Sequence, residues 1–177
     1  MMTYIEAPKR NFTKDKKSLF LAGGITDCPD WQRTIINSLN DLDVTIFNPR
    51  RKNFPINDPN AAQEQITWEF DMLRQADIII VFWFCSETMC PIVLYELGAH
   101  SMTNKPIIIG LDPNYSRRQD VEIQTKLQRP DVKIVYSLDD LTKSIRAQIT
   151  NKISSISTMK HLTVINTEFL KFSSYNK

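Results

Sequence analysis

Glycine, cysteine and histidine are scarce in this chain, at four, three and two of 177 residues. The glycines fall at Gly23, Gly24, Gly98 and Gly110, which excludes the G-x-G-x-x-G fingerprint of dinucleotide-binding folds. An odd set of cysteines, Cys28, Cys85 and Cys90, argues against a disulfide framework. No further Cys or His stands near Cys85 and Cys90 at zinc-site spacing, and His100 and His161 are isolated, so neither a metal nor any cofactor is expected. Long apolar runs are also missing. None reaches the length of a membrane span, and the first residues lack the apolar core of a signal peptide, so the expected location is cytoplasmic, with no membrane partner. Charge of one sign is lacking too: 22 basic against 20 acidic residues leave +2, no bias toward polyanions, and nucleic acid is not an expected partner.

What remains is an ordinary globular composition, 42% hydrophobic and 24% charged, of a length that suits one domain. Its centre is the stretch from Asp77 to His100. The first half, Ile-Ile-Ile-Val-Phe-Trp-Phe, is an unbroken β-branched and aromatic run, the signature of a strand buried on both faces of a parallel sheet. Ser86 to Cys90 then makes a polar crossing, and Pro91 suits the first turn of a helix. Glu96 therefore falls about a turn and a half into a helix at the carboxyl end of a central strand, where open α/β sheets bind ligands. A carboxylate among Ile92, Val93, Leu94 and Leu97 is costly unless it faces a polar cavity. Gly98 inside the same helix suggests a close approach by something else.

The rest of the chain repeats the strand-helix alternation. Residues 1–17, with basic Lys9, Arg10, Lys14, Lys16 and Lys17, read as a poorly structured, solvated lead-in. Strands are expected at Ser18 to Ala22, Val44 to Phe47, Lys105 to Leu111 and Val132 to Tyr136. Helices are expected at Asp30 to Asn40, with Trp31, Ile35 and Leu39 inward, and at Ala61 to Ala76, with Ile66, Phe70 and Leu73 as its core stripe. Two further helices are expected at Arg117 to Gln128 and Leu138 to Ile153. Strands about 30 residues apart with helices between them specify a doubly wound α/β sandwich of about five parallel strands. The domain is expected over 18–153, followed by an extension, 154–177, too apolar for simple disorder. Gly23 and Gly24 open a loop where backbone can approach a ligand. Asn48-Pro49-Arg50-Arg51 begins a long loop whose arginines either meet an anionic ligand or are merely solvated.

These fragments have a familiar order. Phe20-Leu21-Ala22-Gly23-Gly24-Ile25 with Trp31, then Asn48-Pro49-Arg50, Trp68-Glu69 with Ala76-Asp77, and Pro91-Ile92-Val93-Leu94-Tyr95-Glu96-Leu97-Gly98 together resemble the nucleoside 2-deoxyribosyltransferase superfamily, in its transferase-like branch, over roughly residues 18–150. The resemblance implies a flavodoxin-like fold, and exchange or hydrolysis at the N-glycosidic bond of a (deoxy)nucleoside or its monophosphate. It further implies Glu96 as nucleophile and Glu69, or else Asp71, as the acid that handles the nucleobase proton. Gly23, Gly24, Asn48, Arg50, Ser86, Thr88 and Cys90 would then contact substrate, with a free nucleobase as second substrate and a homodimer or larger homo-oligomer as the working unit. Two positions depart from the pattern. Phe20 replaces a tyrosine that orients the nucleophile in many relatives. Cys90 stands where nucleoside transferases resemble one another in an aspartate and nucleotide hydrolases in a serine. Three outcomes stay open: base transfer, 5′-monophosphate hydrolysis, or a binding domain without turnover.

Overall fold

A computed structural model describes residues 1–13 and 16–151, so the expected extension 154–177 lies outside the described residues. The fold is α/β, with six parallel strands in the order β1-β3-β2-β4-β5-β6. These are β1 (Thr3–Glu6), β2 (Ser18–Gly23), β3 (Thr45–Asn48), β4 (Ile79–Phe84), β5 (Ile107–Leu111) and β6 (Lys133–Val135). Between them run α1 (Trp31–Ser38), α2 (Ala61–Gln75), α3 (Pro91–Ser101) and α4 (Arg118–Gln128), and α5 (138–151) closes the described chain. The architecture is flavodoxin-like and doubly wound. The chain steps one way along the sheet from β2 to β3 and the other way from β3 onward. Right-handed crossovers therefore set α1 on one face and α2, α3 and α4 on the other. Arg146 of α5 pairs with Asp41 just beyond α1 at 2.6 Å, so α5 shares the α1 face.

The core follows from the two central strands. Every residue of β2 and of β4 is buried, and they pair in register from Leu19 against Ile79 to Gly23 against Trp83. Asp77 fixes that register from below, its carboxylate accepting the Ser18 backbone N–H at 2.8 Å. Trp31, Ile35 and Leu39 are buried as their four-residue spacing predicts. Lys105 donates to the carbonyls of Leu73, Arg74 and Ala76 at 2.6–2.9 Å, satisfying the open end of α2 where it feeds β4.

Three expectations need correction. The lead-in is not structureless: Thr3–Glu6 forms the sixth strand, paired from Thr3 against Thr45 to Glu6 against Asn48, with Ile5 in the core. Four residues are too few for an alternation to register in sequence. In α2 the buried side is Trp68, Met72 and Leu73 with Ala61, while Ile66 and Phe70 are exposed. Two apolar pairs at four-residue spacing compete there, and the rotation that buries the indole removes more area from water. Finally, Cys28 and Cys85 form a disulfide, although the cysteine count argued against one. Sequence separation of 57 residues hides the fact that the segments following neighbouring strands bring their Cα atoms to 6.3 Å.

Candidate active site

The carboxyl ends of β2 and β4 lie at the point where the winding direction reverses, and loops leaving them diverge to open a crevice. A cavity of about 390 Å³ fills it, walled by Gly23 at the end of β2 and Gly24, Ile25 and Thr26 after it, by Thr88 and Cys90 before α3, and by the first turns of α3. Glu96 of α3 and Glu69 of α2 both line it. The remaining wall is largely apolar: Phe20, Ala22, Ile25, Pro49, Pro91, Ile92 and Val93.

Local sequence explains how each wall is held. Gly23 is required where β2 passes the indole of Trp31: a Cβ there would meet Trp31 at 2.5 Å and the Trp83 carbonyl at 2.7 Å. Trp31 Nε1 donates to the Gly24 carbonyl at 3.1 Å, and Arg50 donates to the carbonyls of Ile25 and Cys28 at 2.6 and 2.8 Å, strapping down the loop. On the far side, Tyr115 Oη donates to the Met89 carbonyl at 2.8 Å and steadies the crossing into α3. Cys90 is the residue before Pro91 and sits at φ 45°, in the left-handed region that disfavours any side chain. Strain of this kind, on the order of 1–3 kcal/mol, is held where surrounding structure fixes it and is common beside functional sites.

The electrostatics single out the two acids. Burial, and then the neighbouring charge of Glu69, push Glu96 up to about 8. No hydrogen bond to its carboxylate forms among the described residues, in keeping with phenylalanine at position 20, which offers no hydroxyl. Burial also raises Glu69, opposed by a hydrogen bond from Gln65 Nε2 at 2.7 Å and by the positive field of Arg51. Gln65 in turn donates to the Pro49 carbonyl at 2.7 Å, so Glu69 is held in place while the Glu96 carboxylate has no such partner among the described residues. Burial raises both carboxyl groups in one cavity, so they titrate as a coupled pair.

The structure thus brings together Gly23, Gly24, Glu69, Thr88, Cys90 and Glu96. It leaves four of the expected contacts outside. Asn48 is buried but turned toward Tyr4, to whose hydroxyl oxygen it donates at 3.1 Å, and Arg50 works as the strap just described. Asp71 pairs with Arg10 at 2.7 Å on the outer side of α2, and Ser86 does not reach the cavity wall. Gln65 is a positioning residue whose four-residue spacing from Glu69 was visible, although its specific role was not. Gly98 does not mark a close approach: a Cβ there would meet nothing within 4 Å. It borders a larger groove of about 690 Å³ between α3 and α4, whose Arg117 and Asp120 pair with each other at 3.1 Å and leave no buried acid to do chemistry.

A flavodoxin-like sheet with two raised carboxyls at its switch point defines a class of small-molecule site equipped for acid–base chemistry. The chain belongs to the family described as nucleoside 2-deoxyribosyltransferase like, whose model matches residues 16–115. No curated protein matches it.

Proposed function

We propose that this protein is a nucleoside deoxyribosyltransferase, moving a deoxyribosyl group from one nucleobase to another. The observation that supports it best is the placement of Glu96 and Glu69 on neighbouring helices of one cavity, each carboxyl raised by burial. The Glu96 carboxylate attacks C1′ as the C1′–N bond breaks, and the departing base takes the pair's proton through Glu69. The resulting glycosyl ester is then attacked by a ring nitrogen of a second base. That base surrenders its N–H proton to Glu69, the ester bond breaks, and configuration is retained. The α3 amino terminus favours the ionised carboxylate as positive charge develops on the sugar.

A nucleoside fits better than its 5′-monophosphate. Among the described residues no Lys, Arg or His lines the cavity, so a phosphate would meet two acids with only the field of Arg51, behind Glu69, to offset them. A homodimer accounts for Ile66 and Phe70 of α2 and Ile92 and Tyr95 of α3, all at least half exposed on one face of the sheet. Light scattering at micromolar concentration is expected to give twice the chain mass, and a monomer would remove that part of the proposal.

The decisive experiment is chromatography of deoxynucleosides, and separately of their monophosphates, incubated with and without a second free base. New nucleosides that appear only with added base, and vanish in Glu96→Ala, are the expected result. Free base released without exchange would replace transfer by hydrolysis, and no product at all would leave a binding domain.

A further inference from the structure

Three sulfurs converge on one side of the Glu96 cavity. Cys28 comes from the loop after β2, Cys85 from the end of β4 and Cys90 from the residue that opens α3, and all three lie within 4.8 Å of one another. Cys28 and Cys85 are bonded, and the free Cys90 Sγ stands 3.9 Å from Cys85 Sγ. Gly24 is wedged among them: a Cβ at that position would clash with Cys28 and meet Cys85 and Cys90 at 2.8 and 3.0 Å. Gly24 and Cys90 themselves line the cavity. Core packing accounts for the burial of Cys85 and Cys90, but it does not call for three sulfurs in one cluster.

We propose that these cysteines form a thiol–disulfide exchange site, loaded by a small-molecule disulfide of the glutathione class, in which Cys85 alternates between Cys28 and Cys90. Cys28 is the partly buried member, whereas Cys85 and Cys90 are buried, so loading begins at Cys28. Its thiolate attacks the small disulfide, forming a mixed disulfide and releasing one small thiolate. Cys85 thiolate then attacks the Cys28 sulfur and releases the second, so two protein thiols are oxidised and one small disulfide is reduced to two thiols. Exchange needs no further oxidant: Cys90 thiolate attacks Cys85 Sγ, the Cys85–Cys90 bond forms, and Cys28 leaves as thiolate. The two bridges tie different walls to β4. The first holds the Gly24–Cys28 loop, and the second draws in the strained start of α3, three residues before Val93 and six before Glu96. The site stands on sulfur geometry and is independent of the reaction at Glu96.

The full chain, poised in glutathione buffers from fully reduced to fully oxidised, is quenched in acid, alkylated and digested without reduction by trypsin and a glutamyl endopeptidase. The second enzyme cuts after Glu87, between Cys85 and Cys90, so every bridge is read as a linked peptide by mass spectrometry. Both Cys28–Cys85 and Cys85–Cys90 peptides are expected in the parent, with one alkylated thiol per oxidised chain. Cys28→Ser is expected to keep only the second bridge and Cys90→Ser only the first. Cys85→Ser should lower the yield of any internal bridge at least about tenfold. Alanine versions with unchanged circular dichroism guard against misfolding. Absence of a Cys85–Cys90 peptide from parent and Cys28→Ala alike overturns the proposal. So does a stoichiometric zinc adduct of the reduced chain that resists oxidation, since the trio would then be a metal site.

Discussion

Two clefts open side by side at the carboxyl end of the sheet, and they treat charge in opposite ways. The one lined by Tyr4, Glu6, Asp30, Arg33, Arg50 and Arg51 is the more highly charged, yet most of its charged groups have a partner nearby. Tyr4 donates to Glu6 at 2.7 Å, Arg51 meets Glu64 at 2.5 Å, and Arg50 sits 3.8 Å from Asp30 while strapping the glycine loop. The other holds only two acids, one without any hydrogen bond to its carboxylate among the described residues. Charges satisfied by partners build structure, whereas a half-buried acid left without one is a cost that folding alone does not explain.

Glu96→Gln breaks the comparison at its most sensitive point. Base exchange is expected to fall by about 10³-fold or more, because the nucleophile is gone. Stability is expected to move the other way. With Glu96 raised to about 8, the folded chain holds a proton that the unfolded chain has already lost above the ordinary carboxyl range. Stability therefore declines as pH rises through that window. At pH 8 the glutamine variant should be more stable by on the order of 2 kcal/mol, a rise in Tm of roughly 4–8 °C, and the gain should vanish near pH 4. Calorimetry at the two pH values checks it. Arg50→Ala tests the paired cleft: two part-buried carbonyls lose their donor, and Tm should drop by roughly 4–8 °C, while exchange per folded molecule falls less than about tenfold. A loss as deep as that of Glu96→Gln would make Arg50 part of the chemistry and erase the distinction.

Much of this is legible in the sequence. The run from Ile78 to Phe84 could only be a central strand, and with Pro91 it located Glu96 on the helix that follows. Alternation and helical spacing carry that information because they report burial along one element. They are silent about what meets across elements. Asn48 and Arg50 were expected at substrate from the resemblance of Asn48-Pro49-Arg50 to the family, but which side of the strand end each serves depends on Tyr4 and on the carbonyls of Ile25 and Cys28. The convergence of Cys28 with Cys85 and Cys90 is of the same kind, set by neighbouring strand ends rather than by spacing.

Smaller effects sharpen the contrast within the acidic cavity. The proposed mechanism needs one carboxyl charged and the other protonated, so kcat/KM should be bell-shaped, falling above about 8 as the last proton leaves and falling on the acid side as Glu69 is protonated. Gln65→Ala removes a hydrogen bond that favours charged Glu69. Glu69 then rises further, the acid limb moves to higher pH and the plateau narrows. The maximum rate should fall only about tenfold, since Gln65 positions the acid and touches no reacting atom. A profile lowered evenly at every pH would assign Gln65 a purely structural part.

Asp71→Asn should do least. Asp71 is two residues from Glu69 and was its rival for the acid role, but the helix turns it away from the cavity toward Arg10, at 2.7 Å and with both side chains more than a third exposed. An exposed pair of this kind contributes about 0–1 kcal/mol, so melting should shift by no more than about 3 °C, and exchange should stay within about twofold of the parent. Glu69→Gln, measured beside it, should lose about 10²-fold or more, with the loss greatest for nucleosides whose bases leave poorly without a proton. If the two variants were equally impaired, the acid would not be singled out by its place in the cavity, and proximity to α2's outer face would matter as much as burial beside Glu96.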